Sequence, residues 1–406
     1  MTPQDMTEAT TTGPKVSGER RAWGWVEHLR HGGTTPWSAF TEEGEARGPL
    51  LPGAIQLEVL RRLNLAGSQG SADAQQALAD RVLESSAPGR GQPDLQLAGA
   101  LEWSGFGPPP VDPGDLTPDV LVRLAVGVLA ELTVEADPGP VEAPRPRRRM
   151  PLRLAGLVQR QFHIVGSPVA GDQTRDALAR AGRHNGRRNP VAVVLADDLG
   201  GMLADLWTWR VQHCLSTPFS SWVGQFAKRD ELPRPLDTAA VAARWARRVG
   251  ADNVHVVVQR HPAAEVARIV GARRPVDATH AGLSGAATRL VRDVNGVLRV
   301  LVDADRHQHL LDTVLLPWLA AEHGPRPAVP KRHEEWVRRR AERLREELSG
   351  GRYSLHGDLD LLVPQTSEGG HAERAGAVAP SEDAVLDIAL RTLRARALQR
   401  SKEEAR

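Results

Sequence analysis

The chain has 406 residues, of which 52 are Lys or Arg and 50 are Asp or Glu, so its formal net charge is only +2 at pH 7. This near balance excludes the strong basic excess of a dedicated nucleic-acid-binding protein. The length is sufficient for two domains of ordinary size. The single cysteine, Cys214, excludes an intramolecular disulfide and a cysteine-based zinc cluster.

The apolar residues do not follow the pattern of exported or membrane proteins. Residues 1–19 are polar and rich in Thr, which predicts a disordered leader rather than a secretion signal. Later apolar runs are shorter than the roughly 18 residues of a membrane span. We therefore expect a cytoplasmic protein without a membrane partner.

Helical spacing of apolar residues predicts a small all-α domain over residues 20–136. Trp23, Val26 and Leu29 recur at the spacing of one helix face. Three further helices are predicted: after Pro52, over residues 73–86 and over residues 118–135. Residues 137–150, rich in Pro and Arg, are expected to be a linker.

From residue 151 the pattern changes to short apolar runs, each followed by a helical stretch. The runs are residues 161–165, 191–196 and 254–258. This alternation predicts an α/β domain, a parallel sheet with flanking helices, over residues 151–364. The helices predicted there are 173–182, 199–213, 219–228, 238–248, 284–301, 306–322 and 332–349. Residues 365–406 are expected to form a loose segment and a terminal helix over 381–402.

The first predicted strand leads into residues 166–174, which contain two glycines and precede a predicted helix. Such a loop is a frequent phosphate-binding site, because glycines let backbone N–H groups face an anion at a helix N-terminus. Gly166, Pro168, Gly171 and Thr174 resemble the Gly-x-Pro-Lys-x-Gly-Thr-[Ser/Thr] loop of sulfotransferases that use the activated sulfate donor PAPS.

Two residues of this loop depart from the family pattern. Val169 stands at the position of the family's lysine, and Asp172 replaces a residue whose hydroxyl donates to the donor. A carboxylate at the start of a helix satisfies the free amides itself and repels a phosphate. Both changes oppose PAPS binding.

The second predicted strand resembles a family element that ends in Arg-Asp, followed by a helix and a serine. The family's arginine helps to hold the 3′-phosphate of the donor, but this chain has Asp197 at that position. Ser216 matches the serine and is the further residue that the resemblance assigns to the cofactor.

The resemblance extends over about residues 160–364, and its last part, Gly350–Pro364, is similar to a group of bacterial sulfotransferase-like proteins. It implies a P-loop sulfotransferase-like sheet. Only 16 residues, 175–190, separate Thr174 from the next strand, where the family has helices that shape the acceptor pocket. Much of that pocket is expected to be missing.

Other polar residues have two interpretations each. Asp197 and Asp198 follow a strand and suit a magnesium ion or a base, but a helix cap by Asp198 with a solvated Asp197 is the favoured alternative. His255 is either a base or a satisfied strand histidine. Arg260 and His261 either belong to a site at the strand end or shape a turn.

Two further groups of residues also allow two interpretations. His356, Asp358 and Asp360 alternate as metal ligands can, yet they are better explained as structural, so no metal is expected. Trp207 and Trp209 are two apart on a predicted helix and cannot face one core. One of them is therefore a possible contact with the helical domain or with a second chain.

These residues predict a sulfotransferase-like protein that has lost PAPS binding and catalysis and acts as a binding or assembly module, with a protein partner or by self-association. No cofactor is then expected. The alternative is an active sulfotransferase that uses PAPS, in which Arg175, Arg260 or a linker arginine supplies the missing positive charge. In that case His255 or His261 is the base.

Overall fold

The computed structural model describes residues 18–45, 50–67, 72–85, 95–103, 105–137, 139, 160–186, 188–272, 282–364 and 380–404. The predicted leader up to residue 17, nearly all of the predicted linker and residues 365–379 of the loose segment lie outside these ranges. The chain divides into two compact units, Met1–Leu132 with Glu382–Arg406, and Thr133–Ser381.

The regular elements are, in chain order, α1 (Gly18–Arg30), α2 (Ala54–Leu65), α3 (Ala72–Glu84), α4 (Pro118–Glu135), β1 (Arg160–Gly166), α5 (Pro168–Arg180), β2 (Arg188–Ala196), α6 (Leu199–Gln212), α7 (Phe219–Arg229), α8 (Thr238–Val249), β3 (Val254–Val258), α9 (Ala263–Val270), α10 (Gly285–Leu301), α11 (Ala304–Leu310), α12 (Lys331–Ser349), β4 (Ser354–Gly357) and α13 (Glu382–Glu404). A π-helical turn, Leu311–Leu315, and a last helical turn, Leu316–Trp318, continue α11. Among the described helices, none combines the length and apolar character needed to cross a membrane.

The first unit is built mainly from helices that bury one apolar stripe each. Trp23, Val26 and Leu29 of α1 are buried as their spacing predicts. The C-terminal helix α13 packs on α2 and α3, so it belongs to this unit rather than to a separate segment.

The second unit contains a four-stranded sheet in the order β1-β2-β3-β4, with all three pairings parallel. The predicted mixed α/β class with a parallel sheet is therefore confirmed. Val193 pairs with Ile164 on one side and His255 on the other. Ala192 and Val194, which point the opposite way from Val193, are also buried. Both faces of the central strand are thus covered, which explains its continuous apolar run.

One face of the sheet carries α5 and α9. Phe162, Ile164 and Val257 of the strands form a buried cluster with Leu178 of α5 and Val266 of α9. Because the strands are parallel, the carboxyl ends of β1, β2 and β3 lie at one edge of the sheet. α5 begins at this edge, two residues after the end of β1.

Two glycines with positive φ end the outer strands. Gly166 ends β1 at φ +100°, and a Cβ there would lie 2.3 Å from the carbonyl oxygen of Leu195 in β2. Gly357 ends β4 at φ +92°, and its Cβ would lie 2.2 Å from the carbonyl oxygen of Val258 in β3. Only glycine fits such a backbone approach.

The predicted strands and most predicted helices agree with the structure to within a few residues. Two elements had no prediction, α9 and β4, and the long helix expected over 306–322 is interrupted and ends at Trp318. The largest error is at α5, which begins at Pro168 instead of residue 173.

Candidate functional site

A cavity of about 770 Å³ lies in the second unit, at the carboxyl ends of β1, β2 and β3. Open parallel sheets place their ligands at this edge. The described residues that line it include Ser167, Val169, Asp172, Thr174, Leu195, Asp197, Met202, Asp205, Thr208, Trp209, Arg260, His261, His323 and Arg326. The cavity therefore combines carboxylates, guanidinium groups, histidines and hydroxyls with an apolar wall.

The expected glycine loop is absent from the described residues after β1, because α5 starts only two residues beyond Gly166. Pro168 occupies the first helical position, where its fixed φ suits a helix and its missing N–H costs nothing. Gly171 lies inside the helix, and the Thr174 hydroxyl donates to the Ala170 carbonyl at 2.6 Å. The prediction of an open phosphate loop over 166–174 is thus wrong.

Asp172 does not cap the start of α5, contrary to the prediction, because it lies in the second turn of the helix. Its carboxylate pairs with Arg175 one turn later. Arg175 also donates to the Ile164 carbonyl at 2.9 Å and does not line the cavity. This arginine, proposed from sequence as a replacement cation, is therefore directed away from the site.

Asp198 caps α6, as predicted, by accepting a hydrogen bond from the Gly201 N–H at 2.8 Å. Asp197, by contrast, is not simply solvated. It lines the cavity, and burial together with the neighbouring Asp198 raises the pKa of its carboxyl above the ordinary value. The Asp197 carboxylate accepts a hydrogen bond from the backbone N–H of Asp198, and it forms no ion pair with a described residue.

A second, partly buried carboxyl, Asp205, lies on α6 in the same cavity. Arg326 forms an ion pair with it, with Nε 3.2 Å from Oδ1. Burial nevertheless raises the pKa of Asp205 to about 6, and the nearby Asp197 and Asp198 carboxylates add to this rise. The pKa values of both carboxyls, Asp197 and Asp205, are therefore raised, so ionisation of each is disfavoured in the cavity.

Sequence reasoning missed Asp205 and Thr208, although a signal was present. Asp205, Thr208 and Gln212 follow one another at spacings of three and four, with Trp209 beside them, on a helix that is otherwise largely buried. A polar stripe on a buried helix indicates a wet cavity. Trp209 lines that cavity and stacks on His213 at 4.0 Å, whereas Trp207 is buried.

Arg260 and His261 line the cavity from the end of β3, so the structure places them with Asp197 and the start of α5. Ser216 and His255 do not line it. Of the four residues predicted to bind a cofactor, Gly166, Gly171, Thr174 and Ser216, only Thr174 lines the cavity.

His255 belongs to a separate polar cluster, the histidine cluster, formed by His255, His356, Glu265 and Arg268. His255 Nδ1 lies 2.9 Å from His356 Nε2, and His356 Nδ1 lies 2.7 Å from Glu265 Oε1. Arg268 pairs with Glu265 at 2.5 Å and holds the pKa of that carboxyl below its usual range. The partner that the sequence did not reveal for His255 is thus His356, on a strand that was not predicted.

His356, Asp358 and Asp360 do not converge. Asp358 accepts from the Asp360 N–H at 2.9 Å, and the Asp360 carboxylate pairs with Arg345 at 3.0 Å. In the part of the chain that the structure describes, no group of three or more His, Cys, Asp or Glu residues is arranged to hold a metal ion.

Comparison of the chain with protein-family models, with curated proteins and with solved structures gave no match. The function therefore has to be inferred from the residues of the cavity.

Proposed function

We propose that the second unit is a sulfotransferase-like α/β domain that no longer binds PAPS and instead uses its sheet-edge cavity as a binding site. The observation that carries the proposal is Asp197. Its carboxylate lies at the end of β2, in the cavity, at the position that the resemblance assigns to a phosphate-binding arginine.

The start of α5 supports the same proposal. A phosphate would meet Val169 where the family has a lysine, so the side chain at this position supplies no positive charge. Each missing charge-assisted contact removes about 1.5 to 3 kcal/mol of binding free energy, so two of them weaken donor binding by orders of magnitude.

The charge of the cavity also disfavours a nucleotide with several phosphate groups. Three carboxyls, Asp172, Asp197 and Asp205, line it together with the two arginines Arg260 and Arg326. Arg326 is already paired with Asp205 and Asp172 with Arg175. Among the described lining residues, one guanidinium then remains for an anion, which is fewer than PAPS requires.

The experiment is a titration of the full-length protein with PAP, the spent form of the donor, followed by its melting temperature. We expect no shift at millimolar PAP, because a ligand raises the melting temperature only when its concentration exceeds its dissociation constant. ADP, which lacks the 3′-phosphate, is the matched control. A dose-dependent rise with PAP that ADP does not produce overturns the proposal.

The second candidate is an active transferase, and it is favoured by one observation: Arg260 and His261 both line the cavity. Arg260 would then hold the donor and His261 would act as the base, whereas His255 lies outside the cavity. This candidate predicts a PAP-dependent rise in melting temperature that the Arg260→Gln variant loses.

A further inference from the structure

Two opposite charges in the cavity have no ion-pair partner among the described residues. The Asp197 carboxylate and the Arg260 guanidinium both line the cavity, and neither forms an ion pair with a described residue, although the Asp197 carboxylate accepts a hydrogen bond from the backbone N–H of Asp198. Arg260 is close enough to offset part of the rise in the pKa of Asp197 that burial causes. They nevertheless do not join in an ion pair, which leaves both available to one bound molecule.

Two hydroxyls on the cavity wall are also available to a ligand. Ser167 makes no capping hydrogen bond at the start of α5. Neither its side chain nor that of Thr208 forms a hydrogen bond with a described residue, and both residues line the cavity. A bound molecule can therefore use each hydroxyl as a donor or an acceptor.

Part of the cavity wall is apolar. Leu195, Met202, Trp209 and Leu316 line the cavity. Its volume of about 770 Å³ lies in the usual range for small-molecule sites, which pair an apolar wall with a few placed polar groups. The ligand is therefore expected to carry an apolar stem between its charged groups.

We propose that the cavity binds a zwitterionic small molecule, with an ammonium group held by Asp197 and a carboxylate held by Arg260. This inference rests on the proposed function, because PAPS would occupy the same edge of the sheet. A ligand with only a positive charge leaves Arg260 desolvated and unpaired, and a ligand with only a negative charge does the same to Asp197. Removing water from an unpaired charge is costly, so a molecule with both charges is selected.

Calorimetric titration of the full-length protein tests the proposal with three probes of similar length. Aminocaproate carries both charges, hexylamine carries only the ammonium and caproate carries only the carboxylate. We expect aminocaproate to bind at least about tenfold more tightly than either single-charge probe, which is the effect of one added charge-assisted contact. Aminobutyrate, the shorter zwitterion, reports the spacing that the site prefers.

Two variants assign the charges to their residues. Asp197→Asn is expected to weaken aminocaproate binding about tenfold without weakening caproate binding. Arg260→Gln is expected to weaken aminocaproate binding about tenfold without weakening hexylamine binding. Asp176→Asn and Arg180→Gln remove the same charges from the exposed face of α5, outside the cavity, and serve as matched controls.

The inference is overturned if a single-charge probe binds as tightly as aminocaproate, if none of the probes binds, or if the control variants weaken binding as much as the cavity variants. Its failure is distinguishable from failure of the proposed function. A protein that responds neither to PAP nor to zwitterions contradicts only the ligand class, whereas one that responds to PAP contradicts the proposed function itself.

Discussion

The cavity at the sheet edge and the histidine cluster on the face of β3 and β4 both contain acidic, basic and imidazole groups, but they differ in how these groups are paired. In the cluster, His255, His356, Glu265 and Arg268 contact one another at 2.5 to 3.3 Å. In the cavity, Asp197 and Arg260 form no ion pair with a described residue, and the Ser167 and Thr208 side chains form no hydrogen bond with one. The paired cluster stabilises the fold, and the unpaired groups are those a ligand can use.

The largest expected difference between the two regions is in the pH dependence of the free energy of unfolding, and it comes from Asp205 in the cavity. Its pKa is about 6 in the folded protein, against an ordinary value of 3.8. The unfolded chain therefore releases this proton at lower pH than the folded protein does. As the pH rises from 3.8 to about 6, the unfolded chain loses the Asp205 proton before the folded protein does, so the free energy of unfolding falls.

The Asp205→Asn variant removes this loss. Between about pH 4 and about pH 7 we expect the wild type to lose up to about 3 kcal/mol more free energy of unfolding than the variant does. Arg326 is half exposed and can be solvated when its partner becomes an amide. Urea unfolding at both pH values measures the difference, with Asp176→Asn as the control. Equal pH slopes for wild type and Asp205→Asn contradict a costly buried carboxyl.

A substitution in the histidine cluster is expected to lower the free energy of unfolding, in contrast to Asp205→Asn in the cavity. Replacing His356 by Ala removes the contacts to His255 and Glu265 in a partly buried position, so the free energy of unfolding should fall by about 2 kcal/mol. His261→Ala, an exposed histidine of the cavity wall, is the control and should change it by less than about 0.5 kcal/mol. A cluster that serves a site rather than the fold would show no loss of stability.

The smallest effect is predicted for Arg175→Gln. Its ion pair with Asp172 is exposed, and exposed pairs contribute less than about 1 kcal/mol. Neither the urea midpoint nor the affinity for aminocaproate should change appreciably, because Arg175 does not line the cavity. A clear loss of affinity for aminocaproate in calorimetry would show that Arg175 contributes to the binding site.

The central strands could be predicted because residues 191–196 of β2 are a continuous buried run of Val, Ala and Leu, and four of the five residues of β3 are buried valines. β4 could not, since it has only four residues and its most apolar side chain, Leu355, is 40% exposed. The start of α5 was mispredicted for a different reason. Pro168 and Gly171 usually indicate a loop, but proline is accepted at a first helical position and the packing of α5 on the sheet outweighs the glycine.

The site was predictable only in part. Arg260 and His261 follow a strand, so the rule that ligands bind at strand ends found them. Asp205 and Thr208 come from the middle of a helix, and their place in the cavity depends on how α6 packs beside the strand ends. His356 pairs with a residue 101 positions away, and such a contact leaves no local pattern in the sequence.

Gly166 was selected from the sequence as a residue that touches a cofactor, and the structure gives this position a different meaning. Any side chain there would collide with the backbone of the neighbouring strand before it reached the cavity. A mutant at Gly166 that no longer binds a ligand would consequently report a sheet edge forced apart. In a mutational scan this glycine, like Gly357, would tolerate no substitution because a side chain there prevents the strands from pairing. Such a result is not evidence that Gly166 contacts a ligand.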